Sequence, residues 1–372
     1  MLHNKIYQNF ILEILKTFFV ILFGLSVIAL TVRAVNFLDL IVENGYPVST
    51  YFKYSTLNLV GIAPKFIPFS FLLALTIFII KHLQNSEFLI LWTTGVKKIH
   101  LVNVFFFTSI LTLLLYLFFS TILAPLSLNK SRLLLQQEEY NSILPTLRAQ
   151  QFNDSFKGLV FFVDKKNDSE LSNIFLQDNN NNFSNLSSNI SKSSSTNIIA
   201  KKGIVKDKQL ILLNGQIISS SKNDFENELI KFEQLNINLS NISTRTIKNP
   251  KLQETSTLQL FKCILEKKIS NPNCNAKEEI ITILNRRLVL PFYIPIIALI
   301  SSLLLFISKK RFFNKNIIFI YSFFLLIFIE LTVRHTGINS YLFYIFIMLP
   351  IILILLLYFF MIYSFSKENK YK

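Results

Sequence analysis

Glycine is scarce, at 8 of 372 residues, and no two of the glycines lie close together. A loop that cradles phosphate needs several glycines just ahead of a Lys and a Ser or Thr, so a nucleotide site of that kind is excluded. Histidine is also rare, with four copies scattered along the chain. There is no His-Glu-x-x-His, no Cys-x-x-Cys and no nucleophile elbow. The two cysteines, Cys263 and Cys274, have no second pair and no nearby His cluster, which argues against zinc. They read as two unrelated thiols, with a disulfide as an alternative that needs an oxidising compartment. No catalytic residue, metal or cofactor is expected. If the protein does work, its energy comes from elsewhere. Acidic residues are outnumbered, 22 against 38 basic, for a net charge of +16. On a soluble chain that excess would point to nucleic acid. Here it first reports topology, and no nucleic-acid partner is expected.

What the sequence has is apolar length. Hydrophobic residues make up 51% of the chain, and the mean hydropathy is +0.45. Six stretches, roughly Ile11–Val32, Leu57–Ile80, Val102–Leu126, Leu288–Ile307, Ile317–Val333 and Tyr341–Phe365, are each long enough to span a bilayer. The first is too long for a signal-peptide core and reads as a retained span. Basic residues in short connections mark the cytoplasmic side. They gather at Lys5, at Lys81, Lys97 and Lys98, at Lys309, Lys310, Arg311 and Lys315, and at Lys367, Lys370 and Lys372. The opposite connections hold Arg33, Lys53 and Arg334. Both termini are therefore expected in the cytoplasm, with the segment from about Ser127 to Arg286 outside.

That outer segment reads as strands: Leu159–Val163, Asn173–Gln177, Thr196–Val205, Gln209–Ser219 and Leu229–Leu239. Asn214-Gly215 predicts a type I′ hairpin turn. The Asn- and Ser-rich stretch Asp178–Thr196 predicts a disordered insertion. Helical pattern returns at Thr257–Lys268 and Ala276–Arg287. The organisation expected is residues 1–128 with three spans, 129–285 as a β-rich domain, and 286–372 with three more.

Three places carry candidate function. Residues 86–95, in the second cytoplasmic connection, predict a short helix capped by Ser86 and ended by Gly95. Phe88, Leu91 and Trp92 share one face, with Glu87 in the first turn. Such a helix suits docking into a groove on a partner or resting on lipid headgroups. Lys65 lies inside the second span between Pro64 and Pro68, where a charge either faces a polar cavity or snorkels outward. Arg33 has the same two readings, and Glu330 with Arg334 reads as a structural i, i+4 pair.

Taken together these residues resemble the lipopolysaccharide export permeases, LptF and LptG. The likeness covers nearly the whole chain. It rests on the three-plus-three layout, Pro64 and Pro68, Ser86-Glu87, and Thr94-Gly95-Val96. It also rests on Asn197 to Gly203 followed by Leu212-Leu213-Asn214-Gly215, and on Glu278-Glu279 with Asn285-Arg286-Arg287-Leu288 through Pro291. Gln151-Phe152 and Val160–Asp164 are closer to LptF. Two features depart from the family: the Asn/Ser insertion, and basic residues that match only at Arg33. The resemblance implies six membrane helices flanking a periplasmic β-jellyroll-like domain in a Gram-negative inner membrane. It implies pairing with a sister permease (LptG if this chain is LptF), two copies of the ATPase LptB, and a bridge through LptC to LptA. Glu87, Phe88, Leu91, Trp92 and Gly95 would couple to the ATPase. Arg33, Lys53 and Lys65 would meet lipopolysaccharide phosphates. Phe161, Ile199, Ile211 and Phe232 would line the jellyroll interior. The rivals are another exporter of the same energy source, such as a lipoprotein releaser, or a receptor. Against the receptor, no cytoplasmic segment is long enough for a signalling domain.

Overall fold

The computed structural model describes residues 5–38, 47–139, 149–156, 158–167, 170–179, 193–206, 209–221, 227–238, 251–265, 274, 276–305 and 315–370. The chain divides into a helical unit (residues 1–32, 56–130 and 250–372) and a second unit (residues 33–55 and 131–249).

The helices are α1 (Lys5–Phe37), α2 (Val48–Ile62), α3 (Ile67–Gln84), α4 (Glu87–Thr93), α5 (Lys98–Phe118) and α6 (Ala124–Glu139). After the sheet come α7 (Thr257–Leu265), α8 (Lys277–Leu288), α9 (Ile294–Ser302), α10 (Lys315–His335) and α11 (Ser340–Lys370). Among the described residues, five continuous helical stretches are long and apolar enough to cross a membrane. A sixth is reached if α8 and the segment Leu290–Leu305, bent by 43° against each other, form one span. The expected fourth span is therefore short and broken.

Proline causes that break, and it recurs. Pro64-Lys65-Phe66-Ile67-Pro68 and Pro291-Phe292-Tyr293-Ile294-Pro295 share one pattern. In both, a 3₁₀ turn (Ala63–Phe66, Leu290–Tyr293) precedes the next α-helix. Proline lacks the amide hydrogen and its ring clashes with the carbonyl one turn back, so the helix must restart. The restarted helices α3 and α9 form the centre of the helical core, where Ile67, Phe71, Leu72, Leu75, Ile294 and Ile297 are buried. Ser70, Thr108, Ser109, Ser301 and Ser302 are buried among them. Small residues let membrane helices approach closely; the hydroxyls of Thr108, Ser109 and Ser302 donate to carbonyls one turn back, Ser302 Oγ to the Leu299 carbonyl at 2.6 Å.

The second unit carries one antiparallel sheet, hydrogen-bonded in chain order. Its strands are β1 (Phe152–Phe156), β2 (Leu159–Asn167), β3 (Glu170–Asp178), β4 (Ser193–Lys206), β5 (Gln209–Ser221) and β6 (Asn227–Asn238). β1 was not predicted. β3 runs to Asp178 and β4 opens at Ser193, so both strands extend into the expected insertion; residues 180–192 lie outside the described residues.

The Asn214-Gly215 expectation is corrected: no hairpin turns there, because β5 runs straight through it. Asn214 does adopt a positive φ, 52°, as does Asn173 at 51°. These two lie in one row across five strands: Asp164, Asn173, Lys201, Asn214 and Glu233. The row follows from the flanking pairs Val163↔Ile174, Ile174↔Ala200, Ala200↔Gly215 and Gly215↔Phe232. At this row the inward positions skip from every second residue to every third, 163 to 166, 171 to 174, 200 to 203, 212 to 215 and 232 to 235. Local irregularities of this kind bend strands and re-aim side chains. Asn173 Nδ2 donates to Asp164 Oδ2 at 3.2 Å along the row. On the inner side, a Cβ at Gly203 would overlap Ile174 and one at Gly215 would overlap Phe232. Glycine at 215 thus serves a close approach within the sheet.

The inner face is packed. Leu159, Phe161, Val163, Leu176, Ile198 and Leu212 are among its buried residues, with Phe232 against them. Ile199 and Ile211 are corrected: Ile199 is exposed and Ile211 lies between the buried Leu210 and Leu212, so both belong to the opposite face. The run Leu210–Leu213 is apolar on both faces, which hides its period. At the ends of the inner face stand Asp178 and Lys166, and partial burial pushes the Lys166 ammonium below the usual lysine value.

The cysteine expectation is also corrected. Cys263 on α7 and Cys274 form a disulfide, with Cα atoms 5.2 Å apart. Spacing along the chain could not show this, because the pairing depends on where α7 ends relative to the approach to α8.

Candidate functional site

The segment between α3 and α5 is built as a bracket. Ser86 does not cap α4 through its side chain; it takes a positive φ of 59° and forms the corner between the two helices. Gly95 ends the helix as expected, at φ 92°. The Val96 amide donates to the Leu91 carbonyl at 3.0 Å and the Gly95 amide to the Trp92 carbonyl at 3.3 Å. This pair of bonds is the Schellman arrangement, which needs a left-handed residue.

The shared face of Phe88, Leu91 and Trp92 turns inward. Phe88 is fully buried, stacked on His82 with ring centroids 5.4 Å apart and edge-on to Phe10 at 6.1 Å. Leu91 and Trp92 pack on the same core, and Lys98 Nζ lies 4.9 Å from the Trp92 ring centroid. The outward side instead presents Leu89 and Ile90, 53% and 59% exposed. Helical spacing alone identifies a face without saying whether its own core or a partner covers it.

A polar joint pins this bracket, and it was not read from the sequence. Glu13 on α1 binds Lys81 Nζ through Oε1 at 2.7 Å and faces His82 Nε2 through Oε2 at 3.4 Å. Glu87 on α4 faces the same His82 nitrogen through Oε2 at 3.2 Å, while its Oε1 accepts from Asn85 Nδ2 at 3.3 Å. The one available signal was Glu13, the sole acid within α1.

A second polar cluster stands at the entry to the bent span. Arg287 is buried and donates to the carbonyls of Gln253 at 2.8 Å and Thr255 at 3.0 Å, and to Thr257 Oγ1 at 3.2 Å. Thr257 in turn donates to the Thr121 carbonyl at 2.9 Å. Arg286 binds Glu330 at 2.5 Å, and Tyr116 donates to the Arg286 carbonyl at 3.1 Å. Arg334 reaches Glu330 only at 3.9 Å, so the predicted i, i+4 pair is secondary to the contact with Arg286.

Arg33 and Lys53 are both exposed in the second unit, where the end of α1 and the start of α2 pair. Tyr51 donates its hydroxyl to the Ala34 carbonyl at 3.1 Å, and the rings of Phe37 and Tyr54 lie 4.8 Å apart. Lys65 is exposed in the 3₁₀ turn of the helical unit. It lies farther from the start of its helix than the apolar run suggested, since α2 opens at Val48. Among the described residues no group of three or more His, Cys, Asp or Glu side chains could hold a metal.

Long apolar helices, two of them restarted at proline pairs, with a six-stranded sheet inserted in the chain between them, define a multi-pass membrane protein with an inserted β-domain. Residues 10–364 match the family "Lipopolysaccharide export system permease LptF/LptG", and the chain belongs to that family. It is an inner-membrane transport permease of the lipopolysaccharide export system and not an enzyme. The match covers LptF and LptG alike. No curated protein matches the chain.

Proposed function

We propose that this chain is one permease half of an ATP-driven exporter, LptF rather than LptG, which takes lipopolysaccharide from the inner membrane and delivers it to a periplasmic bridge. Its partners are a sister permease, two copies of the ATPase LptB on the cytoplasmic side, and LptC leading to LptA. The chain itself supplies pathway and force transmission. The observation that carries this reading is α4, held to the helical core by Phe88 while Leu89 and Ile90 face outward. An exposed apolar pair on a rigidly seated short helix suits insertion into a groove of another subunit. The Lys and Arg distribution supports placing α4 and both termini in the cytoplasm. The Cys263–Cys274 disulfide supports the opposite placement for the segment ahead of α8, since disulfides persist in oxidising compartments.

Arg33, Lys53 and Lys65 offer the cations for lipid phosphates, because charge-assisted hydrogen bonds are the stronger kind. Acyl chains would travel against the inner face of the sheet, past Phe161 and Phe232. A conduit needs an interior that opens, and the packing of this face favours a second reading for the sheet alone, as a docking module for LptC.

Affinity purification of the tagged chain from mild detergent tests the assembly. A cytoplasmic ATPase and a second six-span permease should co-elute with it in fixed ratio. A chain that elutes alone, folded and monodisperse, would remove the exporter reading.

A further inference from the structure

We propose that His82 is a positioning residue that holds the coupling helix α4 against α1 and α3 through one captured proton, so that the seating of α4 depends on pH. This inference rests on the coupling reading only for its consequence; the joint itself belongs to this chain.

Geometry demands the proton. The His82 ring is almost fully buried, at 3% exposure. Its Nδ1 lies 3.1 Å from the Phe78 carbonyl, which can only accept, so Nδ1 carries a hydrogen. In the neutral ring Nε2 would then present a lone pair. That nitrogen faces the Oε2 atoms of Glu13 and Glu87, which when ionised also only accept. Three acceptors cannot satisfy one another. One proton must sit between Nε2 and the two carboxylates, as an imidazolium that donates to both sides. With it, Glu13, Glu87, Lys81 and His82 sum to zero charge, and without it they carry one uncompensated negative charge.

The surroundings suit a cation. Phe78 lies against the ring at 4.1 Å between centroids, Phe88 stacks at 5.4 Å and Phe10 stands edge-on at 5.3 Å. Aromatic faces attract a positive charge within about 6 Å. Each element packed against His82 contributes as follows. α1 brings Glu13 and Phe10, α3 brings Lys81 and Phe78, and α4 brings Glu87 and Phe88. From α5, Lys98 lies over Trp92 rather than at His82.

The proton therefore joins three helices. Its loss sets a lone pair against two carboxylates, one of which belongs to α4. Glu87 is then repelled from its seat, and the anchoring ring of Phe88 loses its stacked cation. α4 loosens, and the outward position of Leu89 and Ile90 is no longer fixed.

Trp92 is the sole tryptophan of the chain and lies on α4, so its fluorescence reports this seating directly. The test uses the full chain in phospholipid nanodiscs without any partner, measuring iodide quenching of Trp92 from about pH 5.5 to about pH 8.5, the range in which histidine changes charge. Quenching should rise about twofold or more as pH increases. His82→Gln should be flat across the range at the loosened level. Glu13→Gln keeps the histidine but removes one charged acceptor of the proton, and should raise quenching above the native level at the acidic end of the range. A flat native profile, an unchanged profile in His82→Gln, or native-level quenching in Glu13→Gln would each overturn the proposal. No ATPase is present, so these outcomes leave the coupling reading standing or falling on its own test.

Discussion

Replacing Leu89 and Ile90 together by Asp should abolish ATPase association and lipid export while the chain still inserts at its normal level. Both side chains are more than half exposed, so their loss leaves the permease core intact. In a partner's groove each would bury a Leu- or Ile-sized surface worth about 1.5–3 kcal/mol. The substitution forfeits that and adds two carboxylates that must be desolvated. Affinity should fall by at least about 100-fold, since about 1.4 kcal/mol is a factor of ten. Phe88→Ala provides the contrast. It empties a fully buried site, should lower stability by about 3–5 kcal/mol, and would impair coupling only by unseating α4. If the double Asp variant still retains the ATPase and supports export, α4 is a lipid-resting helix and not the coupling element.

Arg287→Met should be the most destabilising single change at the entry to the bent span. The buried guanidinium satisfies two backbone carbonyls, of Gln253 and Thr255, and the Thr257 hydroxyl. Methionine fills similar volume but leaves those acceptors buried and unpaired, a penalty of about 3–5 kcal/mol for breaking such a charged network. The segment at residues 251–257 should detach from α8 and become open to added protease. Arg286→Met should cost less, because Arg286 is partly exposed and pairs with the half-exposed Glu330. Limited proteolysis and thermal unfolding in detergent would rank the two variants. Equal sensitivity would mean that Arg287 is no special clasp.

Both sites show what a sequence discloses and what it withholds. The membrane helices were legible because bilayer thickness fixes their length; Pro64 and Pro68 were noted beside Lys65, and proline acts locally to restart the helix there. The same logic applied to Pro291 and Pro295 foretells the short, bent fourth span. Most strands were legible from their β-branched runs. β1, Phe-Asn-Asp-Ser-Phe, was missed because it is short and polar. Asn214-Gly215 misled because the usual reason for that pair is a two-residue turn. Here positive φ at Asn214 bends a continuous strand, and Gly215 makes room for Phe232 from the neighbouring strand. Neither pairing is visible within a local window.

The short helix α4 and its Gly95 end were legible, but its orientation was not. Phe88, Leu91 and Trp92 make an apolar face under either reading, and only the ring cluster of Phe10, Phe78 and His82 decides that it faces inward. The Glu13–His82–Glu87 joint draws on α1, α3 and α4, so no motif spacing could announce it. Arg33 and Lys65 were singled out as charges in costly places, and Lys53 as a basic residue of the outer connection.

The central claim is that this chain passes lipopolysaccharide from the membrane toward its β-domain at the expense of ATP hydrolysed elsewhere. The most direct measurement places a photo-crosslinking residue at position 33, and separately at 161 and 232, in the whole complex reconstituted in vesicles with lipopolysaccharide. Adducts at 33 should form without ATP. Adducts at 161 and 232, on the inner face of the sheet, should appear only when ATP is supplied inside the compartment holding the ATPase. Adducts at 33 with none at 161 or 232 in the presence of ATP would leave the sheet a docking module. A complex that inserts, retains its ATPase and hydrolyses ATP, yet yields no lipopolysaccharide adduct at any of the three positions, would contradict the account.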